Sequence, residues 1–383
     1  MITFLHTSDW QLGMTRYFLD EGAQERYSQA RFDSIRTMGR VVRDEGCAFV
    51  AVCGDVFESN QVNRKTVLRA LEALREVPAP VYLLPGNHDP LNEASIYLSP
   101  VFLDNKPDNV AVVSDHTPIR VADGVELAGA PWPAKRLAAN PVHALLDALP
   151  PDGDALRIIL AHGSVDALAG FSDGDSSAAV ISLERLRAAL ADGRAHFVAL
   201  GDKHSVARVD DAGRVWYSGT PEPTSFREPD PGHATVVALD RQRVEVRKAA
   251  IGTWRFTEIE ENALSGPDDI ARLDDALRAL PDKERRIVRL RLGGVLDLRD
   301  IAGLEERLAG LGDLFASLEV RQESLHSRVD AADIPGDRFT GFAADTLRDL
   351  EKRVAAGRGD AVAARDAILL LMRLSRPDGE GAK

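Results

Sequence analysis

Short apolar runs alternate with amphipathic stretches through the first 250 residues. Seven runs predict buried strands, at residues 2–5, 48–53, 81–84, 110–113, 125–128, 157–160 and 197–200. Several are almost continuously apolar, as expected for strands covered on both faces. Between them, residues 24–45, 64–76 and 183–191 have helical spacing, and Asn63 and Ser182 are suitable N-cap residues. This alternation predicts an α/β core.

The pattern changes after residue 205. Four short runs separated by turn residues predict antiparallel strands that close a second sheet, at 205–209, 215–218, 234–239 and 244–247. Beyond Gly252, a β-α-β-α-β order predicts a small separate α+β domain.

The end of the chain predicts two helices, at 342–355 and 361–374, after a linker at 331–337 that contains Pro335 and Gly336. We therefore expect three parts: a core domain at 1–252, a capping domain at 253–330, and a C-terminal helical segment at 331–383.

Composition narrows the class of protein. The chain has 383 residues, of which 44% are hydrophobic and 28% charged, and this is typical of a folded protein of two or three domains. The net charge of −13 argues against nucleic-acid binding by overall charge, so any DNA contact must be local or metal-assisted.

The sequence predicts a cytoplasmic protein. The N-terminus lacks the pattern of a signal peptide, and the apolar run at 367–372 is far too short to span a membrane. Cys47 and Cys53 are six positions apart in a predicted strand, so roughly 20 Å separates them and they cannot pair with each other. A reducing compartment fits this cysteine usage.

Polar side chains follow five of the predicted strands, usually beside a glycine. The segments are His6-Thr7-Ser8-Asp9-Trp10-Gln11, Gly54-Asp55, Gly86-Asn87-His88-Asp89, Ala161-His162-Gly163 and Gly201-Asp202-Lys203-His204. Ligands of open α/β sheets bind outside the carboxyl ends of the strands, and glycine lets the backbone turn sharply there. Oxygen and imidazole groups that converge from several strands suit two divalent metal ions.

This ordered set of motifs resembles the calcineurin-like metallophosphoesterases over residues 1 to about 250. The flank His6-Thr7-Ser8-Asp9-Trp10 and the stretch Tyr217-Ser218-Gly219-Thr220-Pro221-Glu222-Pro223 are similar, more narrowly, to SbcD-like nuclease subunits of bacterial double-strand-break repair complexes. The resemblance implies a four-layer α/β/β/α core with a capping domain and C-terminal helices. It also implies metal-dependent hydrolysis of DNA phosphodiesters by an exonuclease, with endonuclease activity as a second expectation.

The resemblance also implies a role for each motif residue. Asp55 would bridge two metal ions, and His88 would lie above them, near the leaving oxygen. The remaining ligands would be Asp9, Gln11 and His204 at the first metal, and Asn87, His162 and Asp202 at the second. In such sites the metals activate the nucleophile and stabilise charge on the attacking and leaving oxygens.

Two of these positions depart from the family pattern, because Gln11 and Asp202 stand where the family has histidine. Gln11 is either a ligand through its carbonyl oxygen or a neutral residue outside the metal shell. Asp202 is either a ligand or the partner of Lys203 in an ion pair. If both are ligands, five oxygen donors and two imidazoles favour Mn²⁺, or Mg²⁺, over Zn²⁺.

Arg16 and Tyr17 are candidates for DNA contact, because arginine binds phosphate and aromatic rings stack on bases. The arginine-rich strand at 285–291 either contacts phosphates or presents one solvated face. The chain has no G-x-x-x-x-G-K-[ST] loop, so control by ATP would require another chain.

The resemblance implies a homodimer and an SbcC-like coiled-coil ATPase partner, which would dock on the C-terminal helices unless those helices pack on the capping domain. Two other functions stay open at this point. One is a phosphoesterase for a nucleotide or cyclic nucleotide, and the other is a non-catalytic scaffold, which only the substitutions at Gln11 and Asp202 support.

Overall fold

The computed structural model describes residues 1–151, 154–171, 179–328, 341–357 and 360–374. The chain divides into two compact units, Met1–Phe256 and Thr257–Lys383. The linker predicted at 331–337 and the boundary predicted at 330 lie outside the described residues.

Two six-stranded sheets form the first unit. The first sheet contains β1 (Ile2–Thr7), β2 (Val50–Cys53), β3 (Val81–Leu84), β4 (Val110–Val112), β11 (His233–Leu239) and β12 (Val244–Ala250). The second sheet contains β5 (Ile119–Ala122), β6 (Val125–Gly129), β7 (Leu156–His162), β8 (Phe197–Gly201), β9 (Val206–Arg208) and β10 (Val215–Ser218). The strand orders are β12-β11-β1-β2-β3-β4 and β5-β6-β7-β8-β10-β9.

One expectation about the sheets is wrong. Only β9 and β10 of the four late strands join the second sheet, and β10 runs parallel to β8. The other two extend the first sheet, where β11 pairs antiparallel with β1 from Ile2↔Leu239 to His6↔Thr235. This pairing covers the edge that β1 would otherwise expose. The alternation of apolar and polar residues predicts a strand but does not show which sheet edge that strand covers, so the sequence did not indicate this pairing.

Within residues 1–151, 154–171 and 179–256, five α-helices cover the sheets. They are α1 (Glu21–Asp44), α2 (Arg64–Arg75), α3 (Pro100–Leu103), α4 (Pro141–Ala148) and α5 (Leu183–Ala191). The side chain of Asn63 accepts a hydrogen bond from the Thr66 N–H, and that of Ser182 accepts one from the Arg185 N–H, so both predicted caps are confirmed. The sequence did not predict α3, α4 or the edge strand β5.

Alternate residues of the central strands enter different layers. Leu5 and Val52 pack against α1 and α2, whereas Phe4 and Cys53 lie between the two sheets. The outer face of the second sheet packs against α4 and α5. Because successive side chains of a strand point to opposite faces, this arrangement gives the expected four α/β/β/α layers. Both cysteines are buried and free.

The second unit contains a three-stranded sheet and four helices. They are β13 (Arg255–Leu264), α6 (Pro267–Ala279), β14 (Arg286–Asp297), α7 (Leu298–Gly312), β15 (Ser317–Arg328), α8 (Phe342–Ala355) and α9 (Ala361–Leu374). The order β-α-β-α-β is as predicted, with β14 parallel to β15. In α8 and α9, Leu347 and Ile368 pack with Leu298 of α7. None of the helices in the described ranges is long and apolar enough to cross a membrane.

Two of the four arginines in the strand predicted at 285–291 have acidic partners. Arg289 pairs with Glu319 at 2.8 Å and Arg291 with Glu258 at 2.6 Å. These pairs favour the interpretation of this strand as having one solvated, charge-paired face.

Candidate metal centre

Three of the predicted metal ligands meet in a buried cluster at the carboxyl ends of strands from both sheets. Asp9 follows β1, Asp55 follows β2, and His162 ends β7. Each offers one ligand atom, and these atoms all lie within 4.8 Å of one another. Asp9 is fully buried and Asp55 is 3% exposed, so the two carboxylates face each other away from solvent.

The backbone is strained at four predicted ligands. Asp9, Gln11, Asp55 and Asp202 have positive φ angles of 55°, 45°, 55° and 100°. Only one other non-glycine residue of the described ranges, Asp282, has a positive φ. Such conformations cost on the order of 1–3 kcal/mol each and concentrate at functional sites. The strain therefore marks the same residues as the motifs do.

The ligands predicted for the second metal converge on the Nε2 atom of His162. This atom lies 2.7 Å from Asn87 Oδ1, 3.4 Å from Asp55 Oδ2 and 4.0 Å from Asp202 Oδ1. His162 Nδ1–H donates to the Cys53 carbonyl at 2.8 Å, so Nε2 is the nitrogen that faces the cluster.

The carboxylate of Asp202 is held in this cluster. Its Oδ2 accepts a hydrogen bond from Ser164 Oγ at 2.9 Å, which leaves Oδ1 facing His162. Its backbone N–H donates to Asp9 Oδ2 at 3.1 Å. This placement favours the interpretation of Asp202 as a metal ligand.

The ligands predicted for the first metal surround the Nε2 atom of His204. This atom lies 3.8 Å from Asp9 Oδ1 and 3.3 Å from the side-chain nitrogen of Gln11. Gln11 is 3% exposed, and its Oε1 has no hydrogen-bond partner in the part of the chain that the structure describes. An unsatisfied buried acceptor costs about 1–3 kcal/mol, and a bound cation would satisfy it. The residues therefore fit two cations, and Gln11 fits as an oxygen donor.

Two glycines let the ligand side chains approach the backbone. A Cβ atom at Gly54, whose φ is +90°, would lie 2.1 Å from His162 Nδ1. At Gly86, it would lie 2.2 Å from Asp55 Oδ1. Both distances are far below van der Waals contact, so the glycines beside the motifs are required by the position of His162 and Asp55.

The electrostatics of the cluster favour bound cations. Burial raises the pKa of Asp9 and of Asp202. Burial also acts against the charge on Asp55, but the imidazoles of His162 and His88 outweigh it and hold the pKa of Asp55 below its usual value. The imidazole of His204 is itself buried, yet its hydrogen bond to Glu228 and the charge of Asp9 raise its pKa to about 9. Without a metal, protons on the imidazoles therefore balance the carboxylates.

His88 lies beside the cluster and not inside it. Its backbone N–H donates to Asp55 Oδ1 at 2.9 Å, and its ring Nδ1–H donates to the Glu58 carbonyl at 2.9 Å. The other ring nitrogen, Nε2, lies 3.9 Å from Asp55 Oδ2, and the side chain is 32% exposed. In its imidazolium form, a ring fixed in this way can present its second proton, at Nε2, to a substrate above Asp55.

Asp89, the last residue of the Gly86–Asp89 motif, holds the turn that carries His88. Its buried carboxylate accepts hydrogen bonds from the N–H groups of Gly86 and Phe57 and from the Tyr97 hydroxyl. Burial and the charge of Asp55 raise the pKa of Asp89 to about 6.

Two residues at the first site were not predicted. Glu228 Oε1 lies 2.6 Å from His204 Nδ1, and Thr224 Oγ1 lies 2.9 Å from the same nitrogen. The only sequence signal was their place after the stretch Tyr217–Pro223, which is noted for its resemblance alone; Thr224 follows it directly, and Glu228 is five residues beyond Pro223.

The two candidate DNA-contact residues differ in their surroundings. Arg16 is partly buried, and its Nη2 donates to the Thr224 carbonyl at 2.6 Å. Tyr17 is 97% exposed and lies edge-on to Phe18, with 5.4 Å between ring centroids. Arg16 therefore braces the loop behind His204, whereas Tyr17 is accessible.

This fold and this site define a metal-dependent phosphoesterase. Residues 2–206 match the family model described as calcineurin-like phosphoesterase, and the chain belongs to that family, which uses a dinuclear metal site. Metal-dependent hydrolysis of phosphoesters follows as its activity.

Two solved structures are similar to this chain at low sequence identity. A dimetal phosphatase from Danio rerio is 14% identical, with 65% of this chain and 96% of that chain covered and a TM-score of 0.41. A protein from Thermus thermophilus is also 14% identical, with 64% and 98% covered and a TM-score of 0.39.

Proposed function

We propose that this chain hydrolyses phosphodiester bonds of DNA at duplex ends, as an SbcD-like exonuclease that also has endonuclease activity. The observation that carries the proposal is the convergence of the predicted ligands around Asp55, with His88 held beside them. The motif flanks that resemble SbcD-like subunits supply the choice of DNA as substrate.

Different residues of the chain would have different roles in hydrolysis. Two bound divalent ions would supply an activated water and stabilise charge on the phosphoryl oxygens. Asp55 would hold both ions; in support, its carboxylate lies within 4.8 Å of ligand atoms of Asp9, assigned to the first ion, and of His162, assigned to the second. His88, oriented by the Glu58 carbonyl, would deliver a proton from Nε2 to the leaving oxygen.

The oxygen-rich donor set supports Mn²⁺ as the working metal, with Mg²⁺ as the second choice. Asp202 Oδ1 lies 4.0 Å from His162 Nε2, and the amide of Gln11 lies beside His204 with a buried Oε1 that a cation would satisfy once the amide turns that oxygen toward it. Hard oxygen ligands suit these metals better than Zn²⁺.

Exposed groups near the centre support a polymeric, polyanionic substrate. Trp132, on the loop after β6, donates its Nε1–H to the His162 carbonyl at 2.8 Å. Three residues further along the same loop, Lys135 and Arg136 are exposed and make no ion pair with any described residue. Lys135 and Arg136 offer local phosphate contacts, and Tyr17 offers a stacking surface, although the net charge of the whole chain is −13.

We also propose that the chain works in the cytoplasm, as a homodimer with a coiled-coil ATPase. The C-terminal helices pack on Leu298 of α7 through Leu347 and Ile368, and a partner would dock on their other, exposed side chains, since Phe342 is 87% exposed on α8 and Leu370 is 55% exposed on α9. Copurification with the chain encoded beside this one is the direct test of that partner.

Comparison of two substrates tests the choice of DNA. We expect Mn²⁺-dependent cleavage of an end-labelled linear duplex and of bis-p-nitrophenyl phosphate by the full chain. The double substitution Lys135→Ala and Arg136→Ala should raise KM for the duplex at least about tenfold and reduce the salt slope of DNA binding by about 2, because two phosphate contacts are lost. Cleavage of bis-p-nitrophenyl phosphate should stay unchanged.

The matched control is the double substitution Arg40→Ala and Arg43→Ala, which removes the same charge near the end of α1. At 1.5 Å per residue, these positions lie roughly 30 Å along the helix from its start. Equal effects of both double variants would contradict the proposed contacts. Cleavage of nucleotides but not of the duplex would identify the chain as a small-substrate phosphoesterase.

A further inference from the structure

A buried carboxylate lies directly behind the imidazole of His204. The side chain of Glu228 is 7% exposed, and its Oε1 accepts the Nδ1–H of His204 at 2.6 Å. Its Oε2 accepts the backbone N–H of Thr224 at 2.8 Å, and the Thr224 hydroxyl donates to Oε1. Both oxygens of Glu228 are therefore fixed, and the Nδ1 proton of His204 has a fixed acceptor.

This hydrogen bond determines which nitrogen of His204 faces the first site. With the proton on Nδ1, the lone pair of Nε2 points toward Asp9, 3.8 Å away, and Gln11, 3.3 Å away. Without Glu228, the only group left near Nδ1 among the described residues is the neutral Thr224 hydroxyl, 2.9 Å away, which holds the ring and its proton less firmly than a carboxylate does. Partners of this kind behind a metal-binding histidine fix its tautomer and increase its basicity.

The two histidine ligands are supported differently. His162 donates its Nδ1–H to a neutral backbone carbonyl, that of Cys53, whereas His204 donates to a carboxylate. The extra negative charge thus supports the first site, where Gln11 is a neutral donor. We propose that Glu228 is a positioning residue that sets the metal affinity of the first site and offsets the neutral donor there. This proposal rests on the proposed function only in assuming that the site binds two metals.

The loop that carries Glu228 has other anchors. Tyr27 donates its hydroxyl to the Pro223 carbonyl at 2.6 Å, and Arg16 donates to the Thr224 carbonyl. Glu222, which is 1% exposed, accepts the N–H groups of Thr253 and Trp254. Since these contacts do not involve Glu228, its substitution should leave the loop folded, and Glu222→Gln provides a matched buried carboxylate that does not touch His204.

The test measures metal binding and the tautomer of His204 in the full chain. Calorimetric titration of metal-free protein with Mn²⁺ should show two sites in the wild type and in Glu222→Gln. In Glu228→Ala the first site should weaken by about 10–100-fold while the second stays unchanged. Glu228→Gln, which keeps an acceptor at Oε1 but loses the charge, should give an intermediate loss.

The tautomer of His204 provides a second measurement, which a general loss of protein stability would not change. In ¹⁵N-histidine-labelled protein with Mg²⁺, we expect His204 to carry its proton on Nδ1 in the wild type and in Glu228→Gln. In Glu228→Ala, where the neutral Thr224 hydroxyl remains near Nδ1, that signal should weaken as the Nε2-protonated form appears. The His204 resonance is assigned by its absence from a His204→Gln sample.

Wild-type Mn²⁺ affinity at both sites in Glu228→Ala, with the Nδ1 tautomer retained, would overturn the proposal. If Glu228→Ala does not fold, Glu228→Gln decides, and an unchanged first site in that variant would overturn it equally. Neither readout uses DNA. A wild type that binds two Mn²⁺ ions but leaves DNA intact would therefore refute the proposed substrate and not the role of Glu228.

Discussion

Metal affinity at the first site should rise steeply with pH. In the metal-free protein, the pKa of His204 is about 9, because Glu228 and Asp9 outweigh the effect of burial. A metal ion can bind Nε2 only after the imidazolium has lost a proton, so metal and proton compete for His204. Raising the pH from 7 toward 9 removes the competing proton.

The size of the effect follows from the pKa. At pH 7, two pH units below about 9, the protonated form of His204 exceeds the neutral form by about 100-fold. The apparent Mn²⁺ affinity of the first site at pH 7 is then about 100-fold below its limiting value, which corresponds to about 2.7 kcal/mol. The pKa of His162 is also raised, despite burial, by Asp55, so the second site should change in the same direction.

Stability of the metal-free protein should change in the opposite sense. Because the folded-state pKa of His204 is raised above 6.5, the stabilisation is fully present below pH 6.5 and is lost as the pH rises through about 9. Thermal unfolding without metal should therefore occur at progressively lower temperature across this range, while metal affinity increases.

The assay is calorimetric titration with Mn²⁺ under argon between pH 6.5 and 8.5, in buffers of different ionisation enthalpy. We expect the first-site affinity to rise about tenfold per pH unit, with about one proton released per first-site ion at pH 7. An affinity that is constant over this range, or binding without proton release, would refute the electrostatic account of His204.

Three further outcomes test individual residues. His88→Ala should bind both ions but lose about 10²–10⁴-fold in kcat, measured with bis-p-nitrophenyl phosphate, and loss of an ion would refute its role as proton donor. After dialysis, Gln11→Ala should lack the first ion and Asp202→Ala the second by elemental analysis, whereas two ions in both would show that neither side chain is a ligand. Gly86→Ala places a Cβ atom 2.2 Å from Asp55 Oδ1 and should lower occupancy of both sites, with unchanged occupancy contradicting the close approach.

The sequence predicted those residues of the site that lie at the ends of strands. Asp9, Asp55 and His162 directly follow or end apolar strands, and parallel strands bring such positions to one edge of a sheet. The glycines beside these residues indicated close packing. Gly54 and Gly86 do lie too close to His162 and Asp55 to carry a Cβ atom. These predictions required only the position of each residue relative to its own strand, and not the order of the strands in the sheet.

The features that the sequence did not predict depend on contacts between distant segments. Glu228 meets His204 from a loop 24 residues further along, and no periodicity connects them. The partner of His88 Nδ1 is a backbone carbonyl, which no residue type identifies. The strands β11 and β12 were assigned to the wrong sheet for the same reason, since the choice of edge is decided by the exposed side of β1.

The decisive assay of the proposed two-metal nuclease is cleavage of an end-labelled linear DNA duplex at saturating Mn²⁺ by the wild type and by Asp55→Asn. Asp55 is buried between His162 and His88, and a neutral amide at this position binds two cations poorly. We predict that the wild type shortens the duplex from its end and that Asp55→Asn retains less than about a tenth of that activity, since losing even 1.4 kcal/mol of transition-state stabilisation lowers the rate about tenfold. An intact duplex with wild type, or comparable cleavage by Asp55→Asn, would contradict the two-metal nuclease.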